Sequence, residues 1–295
     1  MLNKEILPNI WSGGQIFAYS ALDGPTVFAE PYTCFTLGDR FGLRLANKEP
    51  YINAIQDVEL QKRRPFWFSI RTGDSVYQYL PASGKPAFDA VQFSAVTSSY
   101  INVLLGARGI STNIKLAFAN RSTIAGTVNI VQTNNDTLST IELCCNHKGN
   151  FQVEKNSLIV CDSLSKTVFK FYEDVEIKDN KIIIPVKKFL HKELHFTVSL
   201  LYSGATVAGN EIKISDIIKQ RTEPYSQCKV PDQIKKNQEV FRTYLKAVSI
   251  LRGNVESPVA PIGYMWTTPD RSPHECMWEW DSGFHGLGWL YFDKQ

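Results

Sequence analysis

The stretch Leu194-His195-Phe196-Thr197-Val198-Ser199-Leu200 puts an apolar side chain at every second position, with polar ones between. An extended chain sends successive side chains to opposite faces, so this run is a strand with one face turned to a core. The same period of two recurs upstream. Phe41, Leu43 and Leu45 alternate with Gly42 and Arg44; Val91, Phe93 and Ala95 with Gln92 and Ser94; and Ile114, Leu116 and Phe118 keep the rule. Turn-forming residues separate the runs at Asp23-Gly24, Gly38-Asp39, Ser83-Gly84, Asn134-Asn135-Asp136, Lys148-Gly149-Asn150 and Asp179-Asn180. From Phe17 to about Leu201, many short strands with frequent turns and no intervening helices predict an antiparallel β-sandwich. So long a segment exceeds the ordinary seven-stranded sandwich, and two extended sheets are expected.

Composition narrows the class. With 43% hydrophobic and 21% charged residues the chain can bury an ordinary core. A net charge of +3 without a basic stripe gives no surface for nucleic acid. Met1 to Ile10 lack the basic start and apolar run of a signal peptide, and no stretch matches a membrane span, so the expected compartment is the cytoplasm and no membrane partner is expected. The six cysteines form no C-x-x-C pair and no zinc spacing with His. They read as free thiols packed as small hydrophobes, with Cys144 and Cys145 on opposite faces of a strand, and neither metal nor cofactor is expected.

After Gln220 the pattern changes. Thr222 to Pro231 carries two prolines and reads as a linker. Ile234, Asn237, Phe241, Tyr244, Leu245, Val248 and Leu251 then fall at helical spacing. Pro231 suits the first turn and Gly253 the C-terminal cap, which predicts one amphipathic helix over 231–252. A proline-rich loop follows, and a last helix is expected from Asp281. Four of the six tryptophans (Trp266, Trp278, Trp280 and Trp289) fall in the last thirty residues, beside Asp270, Arg271, Asp281 and His285. Aromatic rings rimmed by polar groups suit sugars, whose C–H faces stack while their hydroxyls need partners; a tryptophan-rich core under a loop accounts for the same composition.

The run W-x-W-D-S-x-F-H from Trp278 to His285, with the preceding Trp266 to Met277, resembles the first inner helix and its loop in the (α/α) six-barrel glycoside hydrolases of family sixty-three. That family includes mannosylglycerate hydrolases and processing α-glucosidases. The resemblance implies an N-terminal sandwich at 1–228, a linker and first helix at 229–253, and at 254–295 the start of an incomplete barrel. It implies inverting hydrolysis of α-linked sugars by two carboxylates, one protonating the glycosidic oxygen and one activating water. Both come from loops beyond the W-x-W-D helix, so no catalytic residue is carried over, and the expected reading is the N-terminal part of a glycosidase, inactive as this chain. Where the family more often has helix formers, this chain has Gly283 and Gly286, each costing roughly 1 kcal/mol inside a helix.

The substrate-binding candidates are Trp278, Trp280, Asp281 and His285. Trp278 and Trp280 are either stacking platforms or core. Asp281 is expected to begin a helix, where the dipole favours the charged carboxylate; it suits accepting hydrogen bonds from sugar hydroxyls, or capping the helix, better than donating a proton. His285 lies one turn on, as a pocket contact or a satisfied buried histidine. The expected ligand is an oligosaccharide or small glycoside. The rival reading is a non-catalytic glycan-binding sandwich. Phe284, Leu287, Trp289, Leu290, Tyr291 and Phe292 have too few neighbours in two helices, and self-association through the C-terminal helices is expected.

Overall fold

The structure, a computed structural model, describes residues 16–18, 20–23, 33–36, 42–45, 66–78, 87–120, 122–133, 138–145, 150–161, 165–202, 212–256, 258, 263–267 and 279–292. The turn candidates at Gly24, Gly38-Asp39, Ser83-Gly84, 134–136 and 148–149, and Phe41, lie outside them. In chain order the strands are β1 (Ile16–Ala18), β2 (Thr33–Thr36), β3 (Gly42–Leu45), β4 (Phe66–Thr72), β5 (Ser75–Tyr77), β6 (Ala90–Val96), β7 (Tyr100–Ala107), β8 (Ile110–Asn120) and β9 (Thr123–Gln132). There follow β10 (Thr140–Cys145), β11 (Asn150–Glu154), β12 (Ser157–Cys161), β13 (Ser165–Phe171), β14 (Glu176–Lys178), β15 (Lys181–Pro185), β16 (Glu193–Tyr202), β17 (Val255–Glu256) and β18 (Trp266–Thr267). The helices are α1 (Val186–Phe189), α2 (Ile214–Ser226), α3 (Asp232–Lys235), α4 (Gln238–Gly253) and α5 (Glu279–Phe292), with a 3₁₀ turn at Ala21–Asp23.

The molecule is mainly β, and its paired strands are antiparallel. One sheet runs β1-β2-β3-β4-β10-β15-β14, with β5 on β4; the second runs β11-β12-β13-β16-β9-β8-β7-β6. They face each other across one core. Phe66, Phe68, Ile70, Ile141, Leu143, Ile182 and Ile184 come from the first sheet; Ile114, Leu116, Phe118, Ile124, Val128, Phe169, Leu194, Phe196 and Val198 come from the second. Ring contacts cross the gap, Phe66 to Phe169 at 5.5 Å and Phe68 to Phe196 at 6.1 Å. The predicted alternation of β8 and β16 therefore holds. Two hairpins take residues at positive φ to turn, Asp179 (50°) with Asn180 (59°) and Arg108 (50°) with Gly109 (79°), matching the strand twist.

The run through β6 departs from the expectation. A register shift lies between Phe93 and Ala95, so the strand bulges. Val91 packs on the main core, but Ala95 joins Tyr100, Ala117, Tyr225 and Val248 in a second cluster on the outer face of the second sheet. That face is covered by α2 and α4, which form a third layer. Cys144 lies on the opposite side of β10 from Leu143 and is buried there as a free thiol, its pKa pushed up to about 11 by burial.

The linker expected over Thr222–Pro231 is helical as far as Ser226, because α2 extends to that residue with Pro224 in its last turn. The single helix expected over 231–252 is two pieces. Asn237, read as a helical position, breaks the run and caps α4: its side chain accepts from the backbone N–H of Glu239 and Val240 at 3.0 and 3.3 Å. The middle of α2 and the end of α4 are fixed to the sandwich by charge. Arg221 donates to the carbonyls of Phe118 and Ala119 at 2.7 and 3.1 Å, and both Arg221 and Arg252 reach the Asp23 carboxylate, at 3.5 and 3.1 Å.

Gly126 lies opposite Phe196 in the β9–β16 pairing, and a Cβ built on it would fall 2.2 Å from the Phe196 ring. The same ring stacks on Phe171 at 5.1 Å, so it has no room to retreat. Gly126→Ala is expected to destabilise the fold by about 1–3 kcal/mol through overpacking; urea denaturation checks this, and an unchanged midpoint would refute the packing argument.

Candidate functional site

The sequence candidates converge on α5. The helix contacts α4 and β18: a Cβ on Gly288 would meet Leu251 at 3.0 Å, and the Ser282 hydroxyl donates to the Thr267 carbonyl at 3.1 Å. The helix begins at Glu279, two residues before the start expected, and Asp281 falls in its first turn. Asp281 and His285 are half-buried and one turn apart on the face turned to the body of the protein. Burial holds the His285 pKa below its ordinary value, and the Asp281 charge opposes that shift. His285 Nδ1 is buried without a hydrogen-bond partner.

Trp280 is placed elsewhere. It stands out from the solvent side of α5, with its ring edge-on to Phe284 at 5.5 Å, and so does not share a face with Asp281 and His285. Trp278, Asp270 and Arg271 lie outside the described residues. Trp266 is buried at the start of β18, where the two-residue pairing with β17 closes the loop between α4 and α5. The structure thus joins Asp281 to His285 and separates Trp280 from both.

A second polar constellation escaped the sequence reading. On the outer face of the first sheet, Glu142 of β10 is almost fully buried between Arg71 of β4 and Lys181 of β15. Arg71 Nε and Nη2 take one carboxylate oxygen each, and Lys181 Nζ donates to Oε2 at 3.2 Å. Burial raises the Glu142 pKa, but the hydrogen bond from Arg71 and the charges of Lys181 and Arg71 outweigh it and leave the carboxyl below its ordinary value. A carboxylate held ionised by two cations is a closed ion triad and is not poised to donate a proton. Alternation at Trp67, Ser69 and Arg71 could have marked the polar face of β4; its partners come from strands far away in sequence.

Among the described residues no group of three or more His, Cys, Asp and Glu side chains is arranged to hold a metal, and no helix is long and apolar enough to cross a membrane. No family model matches the chain, and no curated protein matches it. Among solved structures, the chain is similar to a heparan sulfate lyase HepC mutant from Pedobacter heparinus at 7% identity and TM-score 0.40, over 68% of this chain and 37% of that one. It is similar to the periplasmic domain of YidC from Thermotoga maritima at 8% identity and TM-score 0.33, over 68% and 89%. A glycoside hydrolase of family 81 from Clostridium thermocellum matches at 10% identity and TM-score 0.33, over 78% and 29%. The chain spans little more than a third of the length of the lyase. At these scores the function has to be read from the residues themselves.

The helix that carries α5 contains an uncompensated charge. Lys246 of α4 is buried, its Nζ has no hydrogen-bond partner, and burial lowers its pKa from 10.5 to about 7. Below about pH 7 the folded chain must hold a buried ammonium. Between that point and 10.5 the unfolded chain binds a proton that the folded chain lacks, so stability rises with pH across this window. Lys246→Met is expected to be the more stable protein near pH 6, by on the order of a few kcal/mol at about 1.4 kcal/mol per pKa unit, with the gap closing towards pH 10. Urea titrations at pH 6, 8 and 10 check this; a constant gap would exclude the proton linkage.

Proposed function

We propose that the chain is the amino-terminal part of a glycosidase of the family sixty-three type, acting on α-linked sugars by inverting hydrolysis, and that by itself it binds an oligosaccharide or small glycoside without cleaving it. The observation that carries this reading is the pair Asp281 and His285, within the W-x-W-D-S-x-F-H run, on the half-buried face of a helix that follows a β-sandwich. Asp281 accepts from sugar hydroxyls, and the half-buried His285 lies one turn on along the same face. Trp278, the other stacking candidate of the run, belongs to the same proposal, and Trp280 serves a different surface. The division into a sandwich at 1–228, a linker and first helix at 229–253 and the start of an (α/α) barrel at 254–295 belongs to the same proposal.

Inverting hydrolysis needs two carboxylates separated enough to admit a water, roughly 6.5–9.5 Å. Asp281 is the one carboxylate of the run proposed to meet the sugar, and Glu142 lies on the other sheet as an ion triad. The rival reading, a glycan-binding sandwich, places the ligand on residues 1–228 and makes Asp281 irrelevant to binding.

Calorimetric or NMR titration with mannosylglycerate and α-linked glucosides is expected to show weak binding that Asp281→Asn reduces by at least about tenfold, a loss of about 1.4 kcal/mol. No turnover of aryl α-glucosides is expected. Turnover abolished by Asp281→Asn would place a catalytic carboxylate at 281, and binding untouched by that substitution would favour the sandwich.

A further inference from the structure

The solvent side of α5 is an apolar stripe. Trp280 is 76% exposed, Phe284 58%, Leu287 57% and Tyr291 81%, with Leu290 beside them at 61%. At 3.6 residues per turn, Trp280, Phe284, Leu287 and Tyr291 fall within an arc of roughly 60°. Gly283 borders one side of this arc, and nothing within 4 Å would meet a Cβ on it. From Ser282 to Phe292 the sequence contains no Asp, Glu, Lys or Arg. An exposed apolar stripe of this size on the solvent side of a helix calls for a cover.

Two features select the cover. The stripe is spaced four, three and four residues, the seam of a packed helix pair, and the spacing reads the same in both directions. Turned end for end on a two-fold axis, a second copy sets Trp280 against Tyr291 and Phe284 against Leu287. Such a surface is self-complementary, as an isologous interface must be. The second feature is area. Taking roughly 150–250 Å² for each aromatic and somewhat less for each leucine, the exposed fractions amount to roughly 600 Å² per copy, or about 1,200 Å² in a pair, the lower edge of specific interfaces. An anionic membrane surface is a poorer match, because no Lys or Arg lies between Ser272 and Phe292 to flank the apolar face.

We propose that two copies of this chain associate through α5 as an antiparallel, two-fold symmetric pair centred between Phe284 and Leu287. The pairing leaves Asp281 and His285 on the inward face, so it neither requires nor precludes the sugar site.

Sedimentation velocity of the full chain between about 1 and 100 µM tests this, in the range where interfaces of such size associate. A concentration-dependent dimer is expected, weakened at least about tenfold by Phe284→Asp or Leu287→Asp. Val153→Asp, on an exposed position of β11, is expected to leave it intact. Mixing Trp280→Cys and Tyr291→Cys chains under mild oxidation is expected to yield a disulfide between positions 280 and 291, identified by peptide mapping. A 280-to-280 link would mean parallel pairing and overturn the geometry. If the aspartate variants do not fold, hydrogen exchange on the native chain decides: protection of 280–291 should rise with concentration. A monomer at all concentrations overturns the proposal, and slow exchange in that monomer would mean that the chain covers its own stripe. A dimer indifferent to both aspartates overturns it as well.

Discussion

One buried carboxylate fixes the third layer of the molecule. Asp23, in a 3₁₀ turn near the start of the chain, pairs with Arg221 in the middle of α2 and accepts from Arg252 at the end of α4. Arg221 also uses two nitrogens on the backbone of β8, at Phe118 and Ala119. Four segments distant in sequence meet at this node. The side chains of Arg221 and Asp23 are only 7% and 8% exposed, so neither can turn to water if the other is lost, and breaking a pair of this kind commonly costs about 3–5 kcal/mol. The node brings α4 onto Ser98, whose backbone N–H donates to the Ser249 hydroxyl at 2.7 Å, and α4 in turn supports α5 through Leu251. The candidate sugar site is thus held by a chain of contacts leading back to one aspartate.

Beneath that layer the sandwich is organised by aromatic packing. Phe196 occupies the hollow over Gly126, stacks on Phe171 and reaches Phe68 of the opposing sheet. A residue larger than glycine at 126 would push the ring into the space between the sheets. The first sheet manages its outer face differently, by pairing charge: Glu142 between Arg71 and Lys181 joins three strands that share no turn with one another.

What could be read from the sequence was what depends on local periodicity. The strands β8 and β16 alternate because one face turns its apolar side chains to the core between the sheets while the other carries mainly polar ones, and the Asp179-Asn180 turn is chemistry within a few residues. The helix α2 was hidden because its buried face carries Arg221 and Thr222 between Ile214 and Tyr225, and because Pro224 signals a break that here falls in the last turn. Asn237 keeps helical phase with Ile234 and Phe241, so spacing alone could not tell a cap from a helical position. Asp23 read as half of a turn; its role depends on partners about two hundred residues away, which no local pattern encodes. At the site, the proximity of Asp281 and His285 follows from helical geometry, whereas the outward placement of Trp280 depends on which side of α5 meets α4.

The order of strands has a consequence for synthesis on the ribosome. β9 takes its second neighbour from β16, and β10 from β15, so neither sheet is complete until residues near 185 and 202 have been made. The contiguous run from β6 to β9 can form early as a meander, with one face of Ile114, Leu116, Ile124 and Val128 still uncovered. At an elongation rate of about 5–20 residues per second, the sixty residues between Gln132 and Glu193 leave the free edge of β9 unpaired for several seconds. The nascent chain therefore carries its most aggregation-prone intermediate in the middle of translation, and a chaperone that recognises apolar strands would find its longest opportunity there.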